Sequence, residues 1–169
     1  MRAPADLEMA PAEYDRVREY WDGGPSPRRL KHETEGLVRT GGRFEKHGVE
    51  RAFFADGKPE FERRWIHGEP AGLWRAWWAN GALRSECDFA PDGAPTEMKF
   101  WHENGALAAA GPAILGRRTG AWRFFREDGS LESEGHLVDG LQEGEWRFYD
   151  ECERLIALER FARGVKTTP

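Results

Sequence analysis

Residues 72–89 read Gly72-Leu73-Trp74-Arg75-Ala76-Trp77-Trp78-Ala79-Asn80-Gly81-Ala82-Leu83-Arg84-Ser85-Glu86-Cys87-Asp88-Phe89. An Asn-Gly pair stands at the centre, and the flanks are rich in aromatics, Arg and Leu without a helical 3.6-residue period. Asn-Gly tolerates φ > 0 at both positions, so the stretch reads as a β-hairpin closed by a two-residue turn. In that register Trp78 opposes Leu83, Trp77 opposes Arg84, Ala76 opposes Ser85, Arg75 opposes Glu86 and Trp74 opposes Cys87. Side chains alternate between faces. Trp74, Ala76, Trp78, Leu83, Ser85, Cys87 and Phe89 then form an apolar face, and Arg75, Trp77, Arg84 and Glu86 form the other.

The same unit recurs every 24 residues without insertion or deletion. Phe53, Trp77, Trp101, Phe125 and Tyr149 form one column, and Glu50, Trp74, Met98, Trp122 and Trp146 form another. A basic column follows at Arg51, Arg75, Lys99, Arg123 and Arg147. The turn pair recurs as Asp56-Gly57, Asn80-Gly81, Asn104-Gly105 and Asp128-Gly129. The register also sets Arg51 against Glu62 and Arg123 against Glu134, while Lys99 faces Ala110. Opposite charges in directly facing positions favour that pairing.

Outside the regular copies the pattern weakens. The last copy has Cys152-Glu153 where the turn pair belongs, and the copy at 48–71 has Glu50 in the Trp column and Pro59 in the Leu column. Atypical terminal copies suit the caps of an array. The expected division is an N-terminal extension over 1–28, a degenerate first repeat over 29–47, and five hairpin repeats over 48–166. Within the extension, residues 1–10 read as disordered and Pro11 to Tyr20 reads as a short helix covering the first edge strand. The fold class is therefore all-β, an elongated antiparallel meander with a short N-terminal helix or extension.

The unit G-x-W-x-x-aromatic-x-x-[Asn/Asp]-G-x-Leu-x-x-Glu, present from Gly72 to Glu86 and from Gly120 to Glu134, resembles the MORN-repeat variant. The resemblance covers roughly residues 44–164. Thr96 and Met98 depart from it in the third copy. It implies an elongated β-meander, and it implies the company of bacterial antitoxins and immunity proteins that neutralise toxins by direct binding.

The composition narrows the function classes. Of 169 residues, 39% are hydrophobic, with 8 Trp and 10 Phe. That is too much apolar mass for a disordered chain. No apolar run approaches the roughly 18 residues of a membrane-spanning helix, and the start lacks the apolar stretch of a secretory signal. A cytoplasmic protein without membrane contact is the expectation. Cys87 and Cys152 are too few for a disulfide framework, and no histidines stand at metal-ligand spacing. Ser85 and Ser133 occupy a mid-strand repeat column, and no phosphate-cradling glycine loop is present. No catalytic, cofactor or metal residues are expected, and the chain does not read as an enzyme.

The suggestive face is the one carrying cations beside aromatics. Arg75 with Trp77, Trp101 beside Lys99, Arg123 with Phe125, and Arg147 with Tyr149 lie two residues apart and share a face. Such a face could stack single-stranded nucleic acid. The net charge of −5 argues against that partner, since nucleic-acid binders are basic where they bind. The alternative is that each Arg pairs with its facing Glu while its stem covers a ring. Between Glu127 and Glu153 ten acids stand against one base, Arg147, a net of −9 in a chain totalling −5. That excess reads either as solvated loop surface or as a field that steers a basic partner. The expected partner is a protein, such as a basic toxin domain, met by Glu132, Asp139, Glu143 and Glu145 at the rim. The aromatics and arginines would supply the contact. A scaffold that joins copies of itself through open sheet edges is the competing reading.

Overall fold

The computed structural model describes residues 13–21, 29–90, 92, 94 and 96–167. The expected disorder of residues 1–10 lies outside the described residues. The described residues form fifteen strands: β1 (Glu13–Tyr20), β2 (Leu30–Arg39), β3 (Arg43–Phe53), β4 (Pro59–Ile66), β5 (Glu69–Pro70), β6 (Gly72–Trp77), β7 (Leu83–Phe89) and β8 (Thr96–Trp101), followed by β9 (Leu107–Ile114), β10 (Arg117–Arg118), β11 (Gly120–Phe125), β12 (Leu131–Val138), β13 (Leu141–Tyr149), β14 (Leu155–Ala162) and β15 (Val165–Thr167). All belong to one sheet in which sequence neighbours are spatial neighbours and every pair is antiparallel, an open meander. β5 with β6, and β10 with β11, act as single bent strands, each pair of pieces lying on the same neighbour.

The expected strand pairs of the hairpins are present: Trp74 faces Cys87, Arg75 faces Glu86 and Ala76 faces Ser85. The turn is different from the expected one. The Trp78 amide donates to Ala82 and the Gly81 amide to Trp78, both at 2.8 Å, so the loop has three residues, Ala79, Asn80 and Gly81. Only Gly81 takes positive φ, at 95°, which is a turn of the common right-handed kind followed by one left-handed residue. The extra loop residue is absorbed beside the turn, where Trp77 faces Leu83 rather than Arg84. Outside that shift the pairing returns to the expected register. Every copy repeats the arrangement, and the residues passed over are Glu60, Arg84, Ala108, Glu132 and Ile156. Asn80 adds a reason to prefer this loop. Its Oδ1 accepts the Ala82 amide at 2.8 Å and its Nδ2 donates to the Glu103 carbonyl of the next copy at 2.8 Å.

Two-residue turns with φ > 0 at both positions lie at the opposite end of the hairpins. They are His67-Gly68, Leu115-Gly116, Asp139-Gly140 and Arg163-Gly164. A non-glycine residue at φ near 50° in each shows that strand twist, not residue preference alone, selected the turn.

A second expectation is corrected at the N-terminus. Glu13–Tyr20 is not a helix but the strand β1, paired with β2 from Glu13↔Val38 to Tyr20↔Leu30. Pairing satisfies backbone groups along β2 that would otherwise form an open edge, and it sets Arg16 2.6 Å from Glu35 and Arg18 3.0 Å from Glu33.

The core is a run of rings on one face. Trp122 and Trp146 are 1% and 2% exposed, packed with Ala109 and Leu137 and flanked by Phe100, Phe124, Phe148 and Phe161. Each indole lies over a glycine of the preceding strand; a Cβ on Gly135 would come within 2.4 Å of the Trp146 ring. Each indole N–H also bonds a carbonyl ten residues upstream: Trp74 to Arg64 (2.8 Å), Trp122 to Pro112 (2.9 Å) and Trp146 to His136 (3.1 Å). Where Glu50 replaces the tryptophan, the residue is 4% exposed and its carboxylate accepts the Trp65 indole at 2.8 Å and Lys46 at 2.7 Å. A buried charge so bonded is tolerated.

Candidate functional site

The face opposite the rings carries a row of directly facing residues that crosses twelve strands: Arg18, Glu33, Arg51, Glu62, Arg75, Glu86, Lys99, Ala110, Arg123, Glu134, Arg147 and Leu158. The charges alternate from Arg18 to Lys99, break at Ala110, and resume from Arg123 to Arg147. The row exists because the basic column and the Glu column fall on facing positions of every hairpin, and because consecutive hairpins dock in the same register. The three expected pairs form, Arg51–Glu62 at 2.7 Å, Arg75–Glu86 at 2.8 Å and Arg123–Glu134 at 3.2 Å. Exposed pairs of this kind contribute about 0–1 kcal/mol each, so the row fixes register more than stability.

Over strands β8 to β13 this face is hollowed into a cavity of ≈ 1040 Å³. Arg123, Phe125, Glu143, Glu145 and Arg147, all singled out from the sequence, line it together. Tyr149 joins them through Glu134: its hydroxyl donates to Glu134 Oε1 at 2.9 Å. Glu134 thus receives Arg123, Tyr149 and, at 3.8 Å, Arg147, whose other nitrogen bonds Glu145 at 3.0 Å. Burial and the bond to Glu134 hold the Tyr149 phenol above its ordinary pKa. At the next cation of the row, the Lys99 ammonium donates to Glu97 at 2.7 Å, and that bond raises its pKa.

Other expected residues lie apart. Arg75, Trp77 and Trp101 belong to β6 and β8 and do not line the cavity. Glu132 is the residue passed over beside its turn, and Asp139 sits in the turn between β12 and β13, 3.7 Å from Arg117. The sequence reading did not place Glu134, Ala110 or His136 in the site, although all three line the cavity. The pairing of Arg123 with Glu134 and the break at Ala110 were the available signals.

The hairpin tips beside the cavity are locked from copy to copy. Trp78 Nε1 donates to the Trp101 carbonyl at 3.0 Å, His102 Nε2 lies 2.8 Å from the Phe125 carbonyl, and the Arg126 guanidinium bonds the carbonyls of Tyr149 and Asp150. The aromatic column is therefore carried on a rigid ladder. The groups on offer are paired ions, ring faces and aliphatic side chains, a set suited to contact. Among the described residues no group of three or more His, Cys, Asp or Glu could hold a metal ion. No helix among them is long and apolar enough to cross a membrane.

No protein curated for its function matches the chain. A crystal structure of a Bacteroides fragilis protein of unknown function aligns over 88% of this chain and 91% of its own at 10% identity. The TM-score of that alignment is 0.18. One family model, described as MORN repeat variant, matches residues 118–139, the stretch that holds Trp122, Arg123, Phe125 and Glu134. The unit at the centre of the cavity is thus similar to a MORN-type repeat.

Proposed function

We propose that the protein is a non-catalytic binding module that holds a protein partner on the cavity face of its last repeats. The single observation behind this reading is the cavity of ≈ 1040 Å³ on a rigid sheet, furnished with Phe125, Arg123 and Arg147. Aromatic and arginine side chains in concave, preorganised positions are the groups that dominate binding energies at interfaces. The partner we favour is a basic domain, a toxin neutralised in the cytoplasm by direct binding, as the resemblance to antitoxin and immunity repeats implies. The acidic excess from Glu127 to Glu153 supports a basic partner, since Glu143 and Glu145 stand on the cavity wall and Asp139 on a turn beyond it. Acids at a rim act chiefly on association rate.

The test begins with affinity purification from the native cell and identification of what co-elutes. Reversing Glu132, Asp139, Glu143 and Glu145 to Lys slows association with that partner and weakens the salt dependence, with circular dichroism unchanged. Tyr149→Ala mainly speeds dissociation, because it removes a ring and a support of Glu134. Association of the fourfold variant at the wild-type rate in low salt refutes the role of the acids. The scaffold reading rests on a different observation: Ile156, Leu158 and Val165 near the last strands are 65%, 57% and 68% exposed. Light scattering that shows oligomers growing with concentration, without a partner, favours it instead.

A further inference from the structure

The break at Ala110 has a chemistry of its own. Glu62, Glu86 and Glu134 belong to one column with a 24-residue period, and Ala110 takes the place of the carboxylate that the column supplies elsewhere. Its facing neighbours are both cations, Lys99 on β8 and Arg123 on β11. Adjacent strands lie about 4.8 Å apart, so the two backbones are about 10 Å apart with only a methyl group between them. A carboxylate standing over Ala110 would be within reach of both side chains.

Arg123 is also incompletely used. Its Nε bonds Glu134 at 3.2 Å, the side chain is 68% exposed, and among the described residues its two terminal nitrogens have no hydrogen-bond partner. Arg147, at the equivalent place in the next copy, is engaged by both Glu134 and Glu145 although it faces Leu158. Arg123 lines the cavity and faces Ala110, so it presents guanidinium donors beside the gap. A guanidinium edge matches a carboxylate in two parallel bonds.

We infer that the slot over Ala110 receives one carboxylate of a protein partner, an Asp or Glu side chain that completes the alternating row between Lys99 and Arg123. This deepens the reading that the face holds a protein partner, and rests on it. The walls decide the class of occupant. Glu97, Glu143 and Glu145 also line the cavity, so a chain of phosphates would meet repulsion on entering. A planar anionic membrane cannot reach the floor of a hollow. A peptide that carries one acid flanked by bases satisfies floor and walls together, which also reconciles the slot with a partner of net positive charge.

The probe is the terminally blocked peptide Lys-Thr-Glu-Thr-Lys, with Lys-Thr-Gln-Thr-Lys, inorganic pyrophosphate and phosphatidylserine vesicles as the other arms. Titration is followed by NMR on the full chain. The Glu peptide is expected to shift the amides of Lys99, Ala110 and Arg123 in a saturable way and to bind about tenfold tighter than the Gln peptide, the ratio one charge-assisted bond supplies. Ala110→Glu fills the slot from within. It should abolish these shifts and raise the melting temperature by about 1–4 °C, as a new pair of facing charges does in a chain of this size. Equal affinity for the two peptides, unchanged binding by Ala110→Glu, or tighter binding of pyrophosphate or vesicles overturns the inference. These results are separable from the binding-module reading. That reading fails if nothing co-purifies with the native protein, whereas the slot fails if the Glu and Gln peptides behave alike.

Discussion

Trp122→Ala measures how much of the fold hangs on the ring face. The indole is 1% exposed and lies over Gly111. The Phe100 and Phe124 ring centres stand 6.2 and 6.0 Å away, and the Arg118 guanidinium lies 5.6 Å above the ring. Truncation returns roughly 200 Å² of apolar burial, which at about 25 cal/mol per Å² is about 5 kcal/mol as an upper figure. No orphaned acceptor adds to the cost. The Pro112 carbonyl that loses the indole N–H keeps the Thr119 amide at 3.0 Å. A single-layer sheet lets water and neighbouring rings fill part of the void, so the expected loss is about 3–5 kcal/mol. Arg117→Ala is the control. It breaks an exposed contact of 3.7 Å with Asp139 and should cost under about 0.5 kcal/mol. Urea unfolding followed by tryptophan fluorescence and by circular dichroism gives both values, provided the two probes coincide as a cooperative array requires. Equal midpoints for the two variants would mean that the ring face is not the core.

Gly135→Ala places a methyl group 2.4 Å from the Trp146 ring and should cost about 1–3 kcal/mol in the same assay. Asn104→Asp keeps the Oδ1 acceptor of its turn but loses the Nδ2 donor to the Glu127 carbonyl at 2.8 Å. A loss of about 0.5–1.5 kcal/mol by thermal melting is expected, with Asn104→Ala losing more. Acid should weaken the first repeats. Burial alone would raise the Glu50 carboxyl pKa, but bonds from Lys46, Trp65 and His32 outweigh it and lower the value, and Glu35 is lowered likewise by Val49, Tyr14 and Arg16 against burial. A folded pKa below the unfolded one gives stability that is present above the ordinary value of 4.5 and is lost as pH falls through the folded pKa. Stability measured from pH 7 downward should therefore drop below about 4.5, and Glu50→Gln should make that drop shallower.

The 24-residue register, the pairs such as Arg75–Glu86 and Arg123–Glu134, and the apolar face holding Trp122 and Trp146 were all legible in the chain. The reason is physical: period-two alternation and pairing partners about eleven residues apart are local properties, carried by each copy independently of the rest. Tertiary structure decided what depends on several strands at once. Asn80-Gly81 is chemically suited to a two-residue turn, yet inter-copy bonds such as Asn80 to Glu103 and the sheet's twist favour a three-residue loop, and the two-residue turns moved to His67-Gly68 and its equivalents. Glu13–Tyr20 has no strong strand signal by itself; β2, with Glu33 and Glu35 facing Arg18 and Arg16, makes it a strand. The cavity and the meaning of Ala110 likewise belong to neighbouring hairpins together. A missing carboxylate becomes a site only when docking sets Lys99 on one side of it and Arg123 on the other.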